Sequence, residues 1–160
     1  MSLKFRFKIY KSNFDEKNFD ITQVHGDLFI DIKNKTFNSG CSISYGLILV
    51  DIFEFLSSIK KILNKKTVKF ELGPPELIEI KSYNGNTQLS IYNSTTKELW
   101  DRKIVNKIEF AKALVSVSEK LLKIVLGKNK KLGENKSIQK FQIAIENAHE
   151  VVKNFEEKNK

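Results

Sequence analysis

The first residues of the chain alternate between apolar and basic side chains, the pattern of a strand with one buried and one exposed face. The apolar positions of this strand are Leu3, Phe5, Phe7 and Ile9. A similar alternation over 27–33 predicts a second strand, in which Leu28, Ile30 and Ile32 face inward. We expect the two strands to pair after a polar excursion over 11–26, because consecutive strands are usually neighbours.

Between residues 45 and 64 the apolar side chains recur at steps of three and four, which predicts an amphipathic helix lying on the sheet. Val68, Phe70 and Leu72 then indicate a third strand. Gly73-Pro74-Pro75 ends that strand, because proline cannot donate a hydrogen bond to a strand ladder.

The dipeptide Asn84-Gly85 predicts a tight hairpin between strands at 76–83 and 87–93. We expect a type I′ turn, which needs φ > 0 at both central residues. The register that a two-residue loop imposes has the pairs Tyr83–Asn86, Ile80–Leu89 and Ile78–Ile91. The apolar residues of both strands then fall on one face.

A last strand is predicted over 97–105, and the pattern leaves open whether Leu99 or Trp100 points inward. Asn106 and Glu109 resemble a capping box that begins a second helix over 107–126. Gly127 then predicts a left-handed helix end.

A third helix follows a loop over 127–136, and its apolar residues form a narrow seam. The seam residues are Ile138, Phe141, Ile145, Ala148, Val152 and Phe155. We expect the seam to cover the second helix on the side away from the sheet. Ile143 is an apolar residue on the polar arc, about 140° from Ile138, so it either is incidental or contacts a partner.

These elements predict a single α+β domain over 1–160. Its architecture is an antiparallel sheet of about six strands with amphipathic helices on one face, in two layers, and a C-terminal helical pair. No apolar stretch approaches the roughly 18 residues of a membrane span, and the alternation from residue 3 is unlike an export signal. We therefore expect a cytoplasmic protein that does not cross a membrane, with a monomer favoured.

The formal net charge of +9 suits a nucleic acid or an acidic protein partner. Only Arg6 and Arg102 of the 28 basic residues are arginine, and the abundance of Lys, Asn and Ile is also what AT-rich codons produce. The sequence leaves open whether the positive charge serves a function or reflects composition bias.

Lysines concentrate in two clusters, which attract phosphate but also lie where cations complement helix ends. The first cluster contains Lys60, Lys61, Lys65, Lys66 and Lys69. The second contains Lys123, Lys128, Lys130, Lys131, Lys136 and Lys140.

The sequence has no HxH, HExxH or CxxC spacing for a metal, no GxSxG nucleophile elbow and no GxxxxGK(S/T) phosphate loop. His25 is predicted in a loop and His149 on the polar edge of the third helix, neither with an obvious partner. Cys41, the single cysteine, is predicted as a reduced, buried or half-buried thiol. We expect no catalytic residue, no metal and no cofactor, and hence a protein that is not an enzyme.

The strand alternation predicts an exposed sheet face that is both basic and aromatic. Its residues are Lys4, Arg6, Lys8, Tyr10, Lys69, Lys81, Tyr83 and Tyr92. Such a face can stack bases and hold phosphates, dock an acidic protein surface, or be inert.

The order of two strands, a helix, a strand meander and closing helices resembles that of the small α+β immunity proteins with which bacteria neutralise toxins. The resemblance implies a bacterial protein with a toxin as its partner. The leading hypothesis is therefore a non-catalytic module that binds another protein. The alternative is a nucleic-acid-binding domain that uses the basic sheet face and the lysine clusters.

Overall fold

The arrangement of strands and helices comes from a computed structural model, which describes residues 2–10, 12, 14–15, 17, 19–73 and 75–160. The strands are β1 (Leu3–Ile9), β2 (His25–Ile32), β3 (Lys35–Thr36), β4 (Ser44–Leu47), β5 (Thr67–Gly73), β6 (Glu76–Ser82), β7 (Asn86–Asn93) and β8 (Leu99–Asn106). The helices are α1 (Ile48–Leu63), α2 (Lys107–Lys128) and α3 (Lys136–Lys158), with short 3-10 turns at Ile21–Gln23 and Lys130–Glu134.

In the first sheet β2 is the central strand, and its pairing with β1 confirms the predicted pairing of the first two strands. β1 pairs antiparallel with it from Leu3 opposite Ile32 to Ile9 opposite Gly26. β3 and β4 pair with the two ends of β2 on its other edge. A Cβ atom at Gly26 would lie 2.3 Å from the carbonyl oxygen of Lys8, so glycine permits the close approach of β1.

The second sheet is an antiparallel meander in the order β5-β6-β7-β8. Ile80 lies opposite Leu89 and Ile78 opposite Ile91, and the Tyr83 amide donates to the Asn86 carbonyl, which confirms the predicted register. β5 ends at Gly73, as predicted, although Pro74 lies outside the described residues.

The predicted turn type is wrong, because neither Asn84 nor Gly85 has φ in the left-handed region. Both turn carbonyls instead accept hydrogen bonds from Lys107, whose backbone amide lies 3.1 Å from the Gly85 oxygen and whose Nζ lies 3.3 Å from the Asn84 oxygen. The pair of positive φ values that defines a type I′ hairpin occurs at Lys33 (49°) and Asn34 (63°), between β2 and β3.

The α+β class, the antiparallel strands and the C-terminal helical pair are confirmed. The described residues contain eight strands, roughly the number expected, but these form two four-stranded sheets where a single sheet was predicted. β3 and β4 were missed because two and four residues are too short to show an alternation. β4 also takes residues 45–47 from the predicted first helix, since they pair with β2.

The second helix begins as predicted, because the Asn106 side chain accepts the Glu109 amide at 3.0 Å. Its predicted end is wrong: Gly127 lies inside α2, and Asn129 is the C-cap with φ −154°. α3 begins at the Asn135 side chain, which accepts from the amides of Ser137 and Ile138.

Helices α1 and α2 each lie against strands of both sheets. An aromatic pair joins Phe5 of the first sheet to Phe110 of α2 at 5.6 Å between ring centroids. A second pair joins Phe70 of the second sheet to Phe55 of α1 at 4.6 Å. The buried apolar side chains of the sheets and helices therefore form one continuous core.

Helix α3 packs on α1 and α2 through the predicted seam, whose first five residues are buried and whose last, Phe155, is half-buried. The seam covers two helices where only the second was expected. Within the described ranges no helix has an apolar run of the length and hydropathy needed to cross a membrane.

Candidate functional site

The predicted basic and aromatic residues are exposed, apart from the half-buried Tyr92, but they are divided between the two sheets. The first sheet carries Lys4, Arg6, Lys8 and, just after β1, Tyr10. The second sheet carries Lys69, Lys81, Tyr83 and Tyr92. The structure thus has two such patches where the sequence predicted one.

Acidic residues of β2 lie opposite the cations of the first patch. The Arg6 guanidinium forms an ion pair with Asp31, with Nε to Oδ2 at 3.1 Å, and lies 4.3 Å from the centre of the Phe29 ring. Lys8 lies opposite Asp27, which accepts the Tyr10 hydroxyl. Arg6 is therefore ion-paired within the sheet, and Lys4 and Lys8 lie opposite carboxylates in the strand register.

The ionisation of these groups reflects their contacts. Burial alone would raise the pKa of Asp31, but hydrogen bonds from Arg6 and Thr36 and the charges of Arg6 and Lys4 lower it overall. The hydrogen bond to Asp27 is the main cause of the raised pKa of Tyr10, because the phenolate could not donate it.

The second patch also contains internal contacts. Lys69 pairs with Glu79 at 3.5 Å, and an Arg102 guanidinium nitrogen donates to the Tyr92 hydroxyl at 2.9 Å. Arg102 was missed by the sequence analysis, since the orientation of the last strand was left open. The structure resolves that orientation at Val105, which is buried, whereas Leu99 and Trp100 are both exposed.

The other chemically suggestive residues differ from expectation. His25 begins β2 and does not lie in a loop, and Cys41 is exposed, where a buried or half-buried thiol was predicted. The ring Nε2 of His149 contacts the Glu119 carboxylate across α2 and α3, a partner invisible to the sequence because it is 30 positions away. In the described part of the chain, no three His, Cys, Asp or Glu side chains converge as metal ligands would.

A depression of about 390 Å³ lies between α1 and α3, with an apolar floor. Leu56, Ala144 and Ala148 belong to this floor, and the two alanines leave room that longer side chains would fill. Ile143 stands at its edge with 55% of its surface exposed. The residue that was out of place on the polar arc of the third helix therefore lines a concave site.

Two further depressions continue the first along the same pair of helices. The second, about 220 Å³, shares Lys60 and Val151 with the first. The third, about 390 Å³, shares Leu63, Asn64 and Phe155 with the second. We call this continuous feature the α1–α3 groove.

Cations line the groove along its length. Lys60 and Lys140 line the first depression, Lys158 the second and Lys65 the third. Among the described residues, no carboxylate lines these depressions and none pairs with these four lysines. Members of both sequence clusters thus meet at this groove.

A fifth lysine is buried beside the third depression. Lys107 is 1% exposed, and its Nζ donates to the carbonyls of Leu63 at 3.4 Å and Asn84 at 3.3 Å. Burial and the nearby charge of Lys65 lower the pKa of Lys107. This amine ties the end of α1 to the β6–β7 turn.

Comparisons with family models, with curated proteins and with solved structures find no match to this chain.

Proposed function

We propose that this protein is a non-catalytic module that binds another protein, and that the α1–α3 groove is its docking site. The observation that carries the proposal is Ile143, a large aliphatic side chain 55% exposed at the edge of a depression with an apolar floor. Concave sites with an apolar floor and polar edges are typical of protein surfaces that accept an anchoring side chain.

The groove offers contacts that a partner could use directly. Phe53 and Val151 are half-buried in it, so an incoming apolar side chain would remove their remaining surface from water. The amides of Asn147 and Asn154 lie along the groove and can exchange hydrogen bonds with a partner.

Nucleic-acid binding by the sheet faces has less support, because Arg6 and Lys69 already form ion pairs within their sheets. A polyanion would have to displace Asp31 and Glu79 before it gained those contacts. The resemblance in layout to immunity proteins, and with it a toxin as the partner, stays a prediction.

The proposal is tested by selecting displayed random peptides on the wild-type protein and measuring their affinity for two variants. Ile143→Glu places a charge in the groove, and Ile124→Glu is the matched control on α2, at a side chain 38% exposed outside the groove. We expect selected peptides to bind Ile143→Glu at least about tenfold more weakly, a loss of about 1.4 kcal/mol, and to bind Ile124→Glu normally. Peptides that bind both variants like the wild type would refute the groove as docking site.

A further inference from the structure

We infer that the α1–α3 groove binds an amphipathic α-helix whose apolar stripe is flanked by acidic side chains. The inference rests on the proposed function and names the chemistry of the partner. It depends on the length of the groove, on the elements that form it and on the charges along it.

The groove has the length of a short helix. It follows α1 from Phe53 to Leu63, a separation of ten positions and hence about 15 Å at 1.5 Å per residue. A helix of about three turns spans that distance and presents apolar residues at i, i+3, i+4 and i+7. One such residue would contact Ile143 and Phe53 in the first depression, and another Val151 and Phe155 in the second.

The elements that form the groove favour a helix over an extended strand. Side chains of α1 and α3, with Asn64 just after α1, line its first two depressions, so none of the described residues there forms a strand edge that could pair with an extended backbone. The Ser57 hydroxyl donates to the Phe53 carbonyl at 2.9 Å, so its proton is not free to bind a peptide carbonyl. A helix satisfies its own backbone groups and needs no such partners.

The charges along the groove select acidic flanks. Lys60 belongs to α1 and Lys140 to α3, so the first depression has a cation on each of the helices that form it. Lys158 and Lys65 extend the positive charge to the other end. Glutamates beside an apolar stripe would meet these ammonium groups, whereas lysines there would be repelled.

The test uses three synthetic peptides of about 14 residues that share leucines at i, i+3, i+4 and i+7. Their flanking positions are all glutamate, all glutamine or all lysine, and binding is measured by fluorescence anisotropy. We expect the glutamate peptide to bind about tenfold more tightly than the glutamine peptide and the lysine peptide to bind most weakly. The preference should shrink at high salt, because exposed charges are screened.

Charge reversal provides the decisive comparison. Lys60→Glu with Lys140→Glu should reverse the preference toward the lysine peptide, whereas Lys120→Glu with Lys123→Glu, the same change on an exposed part of α2, should preserve it. Circular dichroism and thermal unfolding establish that all variants are folded.

The outcomes separate this inference from the proposed function. If the three peptides bind equally and Ile143→Glu abolishes all binding, the groove docks proteins but the acidic partner is refuted. If the lysine peptide binds best, the charge argument is refuted as well. If no peptide binds in a way that depends on Ile143, the helical occupant is refuted, and the display selection decides the docking site independently.

Discussion

Lys107 shows how one side chain can hold three elements that are distant in the sequence. Its ammonium group donates to the last residue of α1 and to the β6–β7 turn, while its own backbone begins α2. A cation is favourable at the end of α1, where the carbonyls carry partial negative charge, but it is unfavourable at the start of α2. Burial and, after it, the nearby charge of Lys65 lower the pKa of Lys107.

We expect Lys107→Met to lower the free energy of unfolding by about 1–3 kcal/mol, because two carbonyls lose a buried donor. Urea denaturation measures the change. Lys120→Met, at an exposed position of α2, is the control and should stay within about 0.5 kcal/mol of the wild type. Equal denaturation midpoints for the two variants would show that the Lys107 hydrogen bonds contribute nothing.

The raised pKa of Asp51, in the first turn of α1, predicts that the stability of the protein depends on pH. Burial, opposed by the hydrogen bond from the Ser44 hydroxyl and aided by the nearby charge of Glu54, raises the pKa of Asp51 from 3.8 to about 6. Between about pH 4 and 6 the folded protein therefore holds a proton that the unfolded chain has released, so this group makes stability fall as pH rises through that window. Its contribution becomes constant about one pH unit above the folded pKa, where the carboxyl is ionised in both states.

Asp51→Asn should remove this dependence while keeping an oxygen that accepts from Ser44. Thermal unfolding from pH 4 to 7 should show the variant gaining stability relative to the wild type as pH rises, with the difference levelling off above pH 6. A constant difference across that range would mean that Asp51 titrates normally.

At the scale of secondary-structure elements, the sequence predicted the strands and helices whose apolar periodicity extends over many residues. β1, the β6–β7 hairpin and α3 follow from alternation or a heptad-like seam that local geometry alone imposes. β4 and the end of α2 could not be predicted in this way, because both depend on distant parts of the chain. β4 exists because residues 44–47 pair with β2, and Gly127 stays helical until Asn129 ends the helix and also donates to the Phe14 carbonyl, 115 positions away.

Substitution of Gly127 tests whether this position is helical, as in the structure, or left-handed, as the sequence predicted. Because it is helical and a Cβ atom there would have no neighbour within 4 Å, Gly127→Ala should stabilise the protein by about 0.5–1 kcal/mol. If the backbone at this position were left-handed, the same substitution would instead lower the free energy of unfolding by about 1–2 kcal/mol. Gly26→Ala is the opposite case, with an expected loss of about 1–3 kcal/mol from the clash with the Lys8 carbonyl. Chemical denaturation of the two variants should give changes of opposite sign.

At the scale of the molecule, the candidate site could be predicted only in pieces. Ile143 was out of place in the sequence, and Lys60 and Lys140 lay in separate lysine clusters. Periodicity gives the faces of each helix but not which helices become neighbours, so the groove between residues about 80 positions apart had no signature. The division of the strands into two sheets had no signature in the sequence either. This division separates the residues of the expected basic face.

The net charge of +9 should give this protein weak, salt-sensitive attraction to single-stranded nucleic acid. If the first patch is not a specific site, Arg6→Glu with Lys8→Glu should weaken that attraction no more than Lys120→Glu with Lys123→Glu, which changes the charge equally. Filter binding at several salt concentrations compares the two. A steeper salt dependence in the wild type that only the first pair of substitutions removes would instead establish nucleic-acid binding by the patch.

The contact between Phe5 and Phe110 has a consequence for synthesis on the ribosome. The apolar side of β1 stays uncovered until α2 is translated, about a hundred residues later, which takes roughly 5–20 s at about 5–20 residues per second. Phe19, in the segment between β1 and β2, gains its contact later still, because its carbonyl accepts a hydrogen bond from the Asn135 side chain, 116 positions away. We therefore expect arrested nascent chains that lack α2 to be cleaved readily by protease within β1 and β2, and chains that extend beyond α3 to resist. Early resistance would mean that the first sheet is stable before its helical cover is made.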